Sequence, residues 1–107
     1  MTVKTRKRRS DRKHVIYLVV NILTGERYVG LTVANGSAYK RVVKVRWQKH
    51  VSRALIEQRD WAICKSIRKW GAECFDHCVL EVVRGKKEAH ARELSIIREF
   101  NPELNTL

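Results

Sequence analysis

One carboxylate in the C-terminal part of the chain stands where an aliphatic side chain belongs. From Lys87 to Phe100, Ala89, Ile96, Ile97 and Phe100 fall on one face at helical spacing, and Glu93 projects into the middle of that face. Burying an unpaired carboxylate costs on the order of several kcal/mol, comparable with the net stability of a small domain. Glu93 therefore needs a cation, a strong partner or access to water. An ion pair with Arg or Lys would serve, and so would a divalent metal at the floor of a phosphate-binding cleft. Hard cations take carboxylate oxygen and keep several waters and substrate oxygens. Periodicity leaves both open.

The other side chains suited to chemistry are cationic or aromatic. Lys40, Arg41, Lys44, Arg46, Lys49 and Arg53 follow one another with no acid before Glu57, a pattern that suits a phosphate-facing helix. Arg46, His50 and Arg53 line the edge of that helix's apolar stripe. Tyr17 and Tyr28 lie on two β-branched runs whose hairpin geometry brings both rings to one side of a sheet. Cys74 and Cys78 flank His77 in a zinc-like spacing, but a structural site needs four ligands and no others stand at usual spacings, so Cys64, Cys74 and Cys78 read as buried structural residues. His14, His77 and His90 receive no role.

Composition sets the partner. Lys and Arg number 23 against 11 Asp and Glu, a formal charge of +12 on 107 residues, which points to a polyanion and first to nucleic acid. Half of this charge lies in Lys4 to Lys13, so residues 1–13 read as a basic, disordered arm, with Arg6, Arg8 and Arg9 as DNA contacts. Residues 14–107 leave room for one domain with one modest core. No apolar segment is long enough for a signal peptide or a membrane span, and the odd cysteine count suits a reducing setting, so a cytoplasmic protein with no membrane partner is expected.

The elements that must position these side chains follow from the pattern. His14 to Val20 and Arg27 to Thr32 read as strands of a hairpin turning at Thr24-Gly25; a two-residue loop there would pair Tyr17 with Thr32. Ser37 is placed to cap a helix reaching about Ile56, with Val43, Trp47, Val51, Ala54 and Leu55 inward. Asp60 is placed to cap a second helix, inward at Ile63, Ile67 and Trp70 and ended by Gly71. A strand from Phe75 to Val83 and a helix from Lys87 to Phe100, stopped by Pro102, complete the chain. The fold class is α+β: a small three-stranded, mainly antiparallel sheet flanked by helices, in the order β-β-α-α-β-α.

Val15-Ile16-Tyr17, ten residues, Tyr28-Val29-Gly30, then Arg46-Trp47-x2-His50, Glu93 and Phe100-Asn101-Pro102-x2-Asn105 together resemble the GIY-YIG nuclease family in type and order. The resemblance spans Val15 to Asn105. Val15 departs from it where a glycine would stand. The fifteen residues between Gly30 and Arg46 are a long connection and leave Arg41 as a rival to Arg46 for the arginine role; Arg46 is preferred because it lies one turn from His50 on the same helical face.

The resemblance implies a DNA endonuclease. Glu93 would bind Mg²⁺, or Mn²⁺, which would touch a phosphate oxygen and the leaving 3′ oxygen, giving 3′-hydroxyl and 5′-phosphate ends. Tyr17 matches the water-activating tyrosine, and since a phenol has a pKa near 10 it needs help at neutral pH, with His50 to accept or orient its proton. Arg46 would stabilise charge on the phosphate, Tyr28 would bond the phosphate or water, and Asn105 would fix the carboxylate or nearby backbone. Lys40, Arg41, Lys44, Lys49 and Arg53 would track DNA. Low or short-motif specificity is expected, and a homo-oligomer is one route to cutting both strands. The rival is a non-catalytic nucleic-acid-binding protein in which Glu93 is only an ion-pair partner. A nuclease acting mainly on RNA is a third reading.

Overall fold

A computed structural model describes residues 12–105. Arg6, Arg8 and Arg9, assigned to the basic arm, lie outside the described residues; the first strand already includes Lys13.

Strands β1 (Lys13–Asn21), β2 (Arg27–Ala34) and β3 (Phe75–Arg84) form one antiparallel sheet in the order β2-β1-β3. The run Val15, Ile16, Tyr17 and Val19 is wholly buried, as the central strand of a sheet covered on both faces must be. Val15, Tyr17 and Val19 point into one core with helices α1 (Tyr39–Leu55) and α2 (Ala62–Trp70). Ile16 and Leu18 point into the other, against Ile96, Ile97 and Phe100 of α3 (Lys86–Phe100). The sheet is thus the middle of three layers, and the element order is the expected β-β-α-α-β-α.

The hairpin register differs from the two-residue loop expected at Thr24-Gly25. Tyr17 pairs with Gly30, not Thr32. The buried Asn21 side chain accepts bonds from the Leu23 and Thr24 amides (2.9 and 3.2 Å), and Gly25 adopts φ 77°, so the chain closes on the Asn21–Glu26 pair instead. A shift of two residues preserves face parity, and Tyr17 and Tyr28 still share the α1 side.

Helix α1 starts two residues after Ser37, whose side chain makes no cap; only its carbonyl takes part, accepting from the Tyr39 amide at 3.0 Å. Its buried face is Val43, Trp47, His50 and Ala54, while Leu55, expected inward, is 54 % exposed. Helix α2 likewise has no side-chain cap: Asp60 lies outside it, 3.9 Å from Arg68, and Trp61 occupies the cap position. Its inward residues are Ile63, Cys64, Ser66 and Ile67, and Gly71 ends it at φ 88°. Helix α3 ends on Asn101 in the left-handed conformation, just before Pro102. Of the cysteines only Cys64 is buried, and Cys78 is exposed, so the structural reading holds for one of three. Among the described residues no group of three or more His, Cys, Asp or Glu could hold a metal, and no helix is long and apolar enough to cross a membrane.

Candidate active site

The C-terminal turn Glu103–Asn105 seals half of the free edge of β2. Asn105 accepts from the Val29 amide through Oδ1 (2.8 Å) and donates to the Val29 carbonyl through Nδ2 (2.7 Å), while Glu103 accepts from the Arg27 amide (2.9 Å). Asn105 therefore acts as a one-residue substitute for a neighbouring strand and fixes the backbone beside Tyr28. Because backbone groups alternate along an antiparallel strand, those of Leu31 and Val33 also face outward, beyond the sealed stretch.

That open edge floors a cleft of about 490 Å³, with α1 as one wall and α3 as the other. Arg46 comes from α1, Tyr28 from β2, and Glu93, His90 and Lys86 from α3; His14 completes the lining. Lys86, His90 and Glu93 are spaced i, i+4, i+7, which places them on one helical face. This spacing is readable in the sequence on the polar side of the helix, which the apolar stripe does not disclose. His14, also missed, is buried and tied through Nδ1 to the Arg12 carbonyl at 2.8 Å.

Tyr17 and His50 lie behind this cleft rather than in it. Tyr17 is 0 % exposed, and its hydroxyl is 2.9 Å from His50 Nε2. A Cβ at Gly30 would overlap the ring and hydroxyl of Tyr17, so the glycine makes the room in which the phenol lies. The Tyr28 ring meets His50 edge-on at 5.1 Å and Tyr17 at 6.2 Å. On β3, Ile16 pairs with Glu81 but Tyr17 with Val79, a bulge that re-aims the backbone next to the tyrosine.

Of the two arginines weighed for the site, Arg46 lines the cleft and Arg41 lies on an exposed flank of α1, where it borders adjoining grooves with Lys49 on one side and with Lys40 and Lys44 on the other. Arg53 stacks over Trp61, 5.5 Å from the ring centre. The cationic face of α1 thus runs continuously out of the cleft.

A family model described as the GIY-YIG catalytic domain matches residues 13–106. The chain belongs to the GIY-YIG family. Among solved structures, this GIY-YIG nuclease is similar to a glutamate-to-alanine mutant of the catalytic domain of the intron endonuclease I-TevI: TM-score 0.67, 25% identity, 88% of this chain and 90% of that one covered. A search of curated proteins finds no match.

Electrostatics divide the site of the nuclease into a neutral rear and a charged front. Burial, and then the charge of Tyr28, raises the Tyr17 pKa well above the usual phenol value against the pull of Arg46. Burial also depresses His50 to about 4, with Arg46 and Arg53 adding to the effect. Both side chains are therefore neutral at pH 7. His50 Nδ1 is buried with no partner among the described residues. Tyr28 is raised chiefly by burial, with Arg46 lowering it and Glu93 raising it. In front, the Glu93 side chain is 21% exposed, and its pKa is raised by burial against a weak pull from His90, 3.9 Å away. Neither an Arg nor a Lys pairs with it among the described residues, and no carboxylate pairs with Arg46.

Proposed function

We propose that the protein is a divalent-metal-dependent endonuclease that hydrolyses DNA phosphodiester bonds with low or short-motif sequence specificity. One observation carries this reading: a single cleft brings Tyr28, Arg46 and Glu93 together, with no Arg or Lys paired to the carboxylate and no carboxylate paired to Arg46 among the described residues. A lone half-buried carboxylate fits Mg²⁺ or Mn²⁺, which are held by one or two carboxylates and otherwise by water and substrate phosphate. Glu93 would hold the ion, and Asn105 keeps the β2 edge in register rather than touching that carboxylate. When bound, the metal supplies positive charge against the phosphate and the departing 3′ oxygen.

The chain's own residues do the rest. Arg46 presents a planar guanidinium to the phosphate, suited to charge that builds up on its oxygens. Tyr28, the tyrosine that borders the cleft, bonds the attacking water or a phosphate oxygen. Tyr17 has no surface there, so the water-activating place that the resemblance gives it becomes an indirect one: with His50 it forms a neutral pair behind Tyr28 that positions the phenol. Attack at phosphorus leaves 3′-hydroxyl and 5′-phosphate ends. Lys40, Arg41, Lys44, Lys49 and Arg53 hold the flanking backbone, which gives affinity with little sequence information. Cutting both strands would take a second copy of the chain or a second visit.

The test is nicking of supercoiled plasmid with Mg²⁺ or with chelator, beside Glu93→Ala. Nicking that needs the metal and falls about 100-fold or more in the variant is expected. Undiminished nicking by Glu93→Ala removes the site assignment. No cleavage of DNA or RNA by the wild type, with tight salt-sensitive binding, establishes the binding module instead.

A further inference from the structure

Beside the cleft, and separated from it by Tyr28 and Arg46, lies a second pocket of about 260 Å³. Glu93 and His90 line the cleft and not this pocket, whose distinctive walls are Trp61, Ile63 and Leu104, with His50 alongside. It is smaller than the roughly 300–1,000 Å³ of sites that enclose a whole small molecule. Trp61, Ile63 and Leu104 give it an apolar side that a phosphate alone would leave unused. We propose that it is a nucleobase subsite: it takes one base, swung out of the helical stack, of the nucleotide whose phosphate is held at Arg46 and Tyr28. The proposal rests on the nuclease reading of the cleft.

Three features favour a base as the occupant. Trp61 supplies an aromatic wall, and Arg53, which lines the same pocket, has its guanidinium carbon 5.5 Å from the centre of that ring, so an aromatic surface and a cation of the kind that bases contact stand together. Polar side chains stand among the apolar walls: Tyr28, His50 and Asn105 line the same pocket. A base edge offers donors and acceptors to such groups, which an apolar ligand would not use. The pocket also opens next to the residues assigned to the phosphate, so one nucleotide spans both sites. A paired, stacked base could not enter, so the subsite favours places where unstacking is easy, such as a mismatch or a looped-out nucleotide.

The experiment measures binding by fluorescence anisotropy in chelator, where no cleavage occurs, using a short duplex with one looped-out nucleotide and the same duplex lacking only that base. The wild-type protein is expected to bind the first about tenfold more tightly, the range of one base stacked on an aromatic side chain. Trp61→Ala is expected to bind both duplexes alike, at the wild-type level for the baseless one. Equal wild-type affinities overturn the subsite, with no variant needed; so does a preference that survives in Trp61→Ala. Plasmid nicking in Mg²⁺ decides the underlying reading separately. Nicking without base preference leaves the nuclease and removes the subsite, and base preference without nicking leaves the subsite on a binding protein.

Discussion

The substitution Gly30→Ala isolates the close approach on which the rear of the site depends. Gly30 is not among the glycines with positive φ, so alanine costs nothing in backbone conformation and would ordinarily suit a strand better than glycine. Any loss must come from the added methyl, and its position overlaps the Tyr17 ring and hydroxyl. Tyr17 cannot retreat, because it is fully buried in the α1 and α2 core and bonded to His50. Overpacking of this kind costs about 1–3 kcal/mol, and stretching the tyrosine–histidine bond adds about 1 kcal/mol. A total of about 3 kcal/mol corresponds to a fall in Tm of roughly 12–24 °C for a domain of this size. The decisive measurement repeats thermal unfolding of Gly30→Ala in a Tyr17→Leu background, where the obstructing ring is gone. The penalty should shrink to less than about 1 kcal/mol there, since the two changes act on one contact. An equal penalty in both backgrounds would show that the glycine serves something other than the tyrosine, and the account of the buried pair would fall with it.

Three further outcomes follow from the same geometry. Tyr28→Phe should lower kcat about 100-fold with the Tm unchanged, whereas Tyr17→Phe should also lower the Tm by leaving His50 Nε2 unpaired; a fully active Tyr28→Phe would return the leading role to Tyr17. His50, depressed by burial to about 4, contributes stability that is complete above its unfolded value of about 6.5 and is lost as pH falls through that value towards 4, about 3 kcal/mol in all. Urea unfolding of wild type and His50→Gln across this range checks it, since the variant should lack that part of the acid loss. Arg41→Ala with Lys49→Ala should reduce the salt slope of DNA binding by about 2 without moving the cleavage positions, and an unchanged slope would take these two residues off the phosphate path.

The element order was legible because it depends on local signals: two β-branched runs, basic helices with apolar stripes, and Gly71 and Pro102 as stops. What sequence reading got wrong depended on side chains acting out of their usual roles. The hairpin register turned on the Asn21 carboxamide capping the loop, which no turn dipeptide discloses. Leu55 was placed inward by hydrophobicity, yet the inward place on the last turns of α1 went to His50, because a tyrosine hydroxyl waited there to satisfy it. The need for Gly30 was invisible because its cause is the cross-strand neighbour. Glu93, by contrast, stood out from the pattern alone, and Lys86 and His90 would have joined it had the polar residues been placed on the same helical wheel.

Periodicity leaves open an ion pair or a site at Glu93, and no Arg or Lys pairs with it among the described residues. A carboxylate paired with Arg or Lys has its pKa pulled down, and a buried pair of that kind closes the space between its members. Glu93 shows the opposite: its pKa is raised, its sole ionic contact among the described residues is His90 at 3.9 Å, and Arg46 lines the same cleft without reaching it. Arg46 and Glu93 thus stand on facing walls, unpaired with each other, with Lys86 and His90 beside Glu93 on α3. On the function proposed above, such an arrangement costs stability in the free protein and would be relieved by a phosphate group at Arg46 and a divalent cation at Glu93. The neutral Tyr17–His50 pair behind it leaves the electrostatics of the cleft to the charged side chains that line it, Arg46, Lys86 and Glu93 among them. On the proposed reading, a carboxylate facing Arg46 across one cleft, rather than the number of basic residues on the surface, separates a place for phosphodiester chemistry from a face that binds a polyanion.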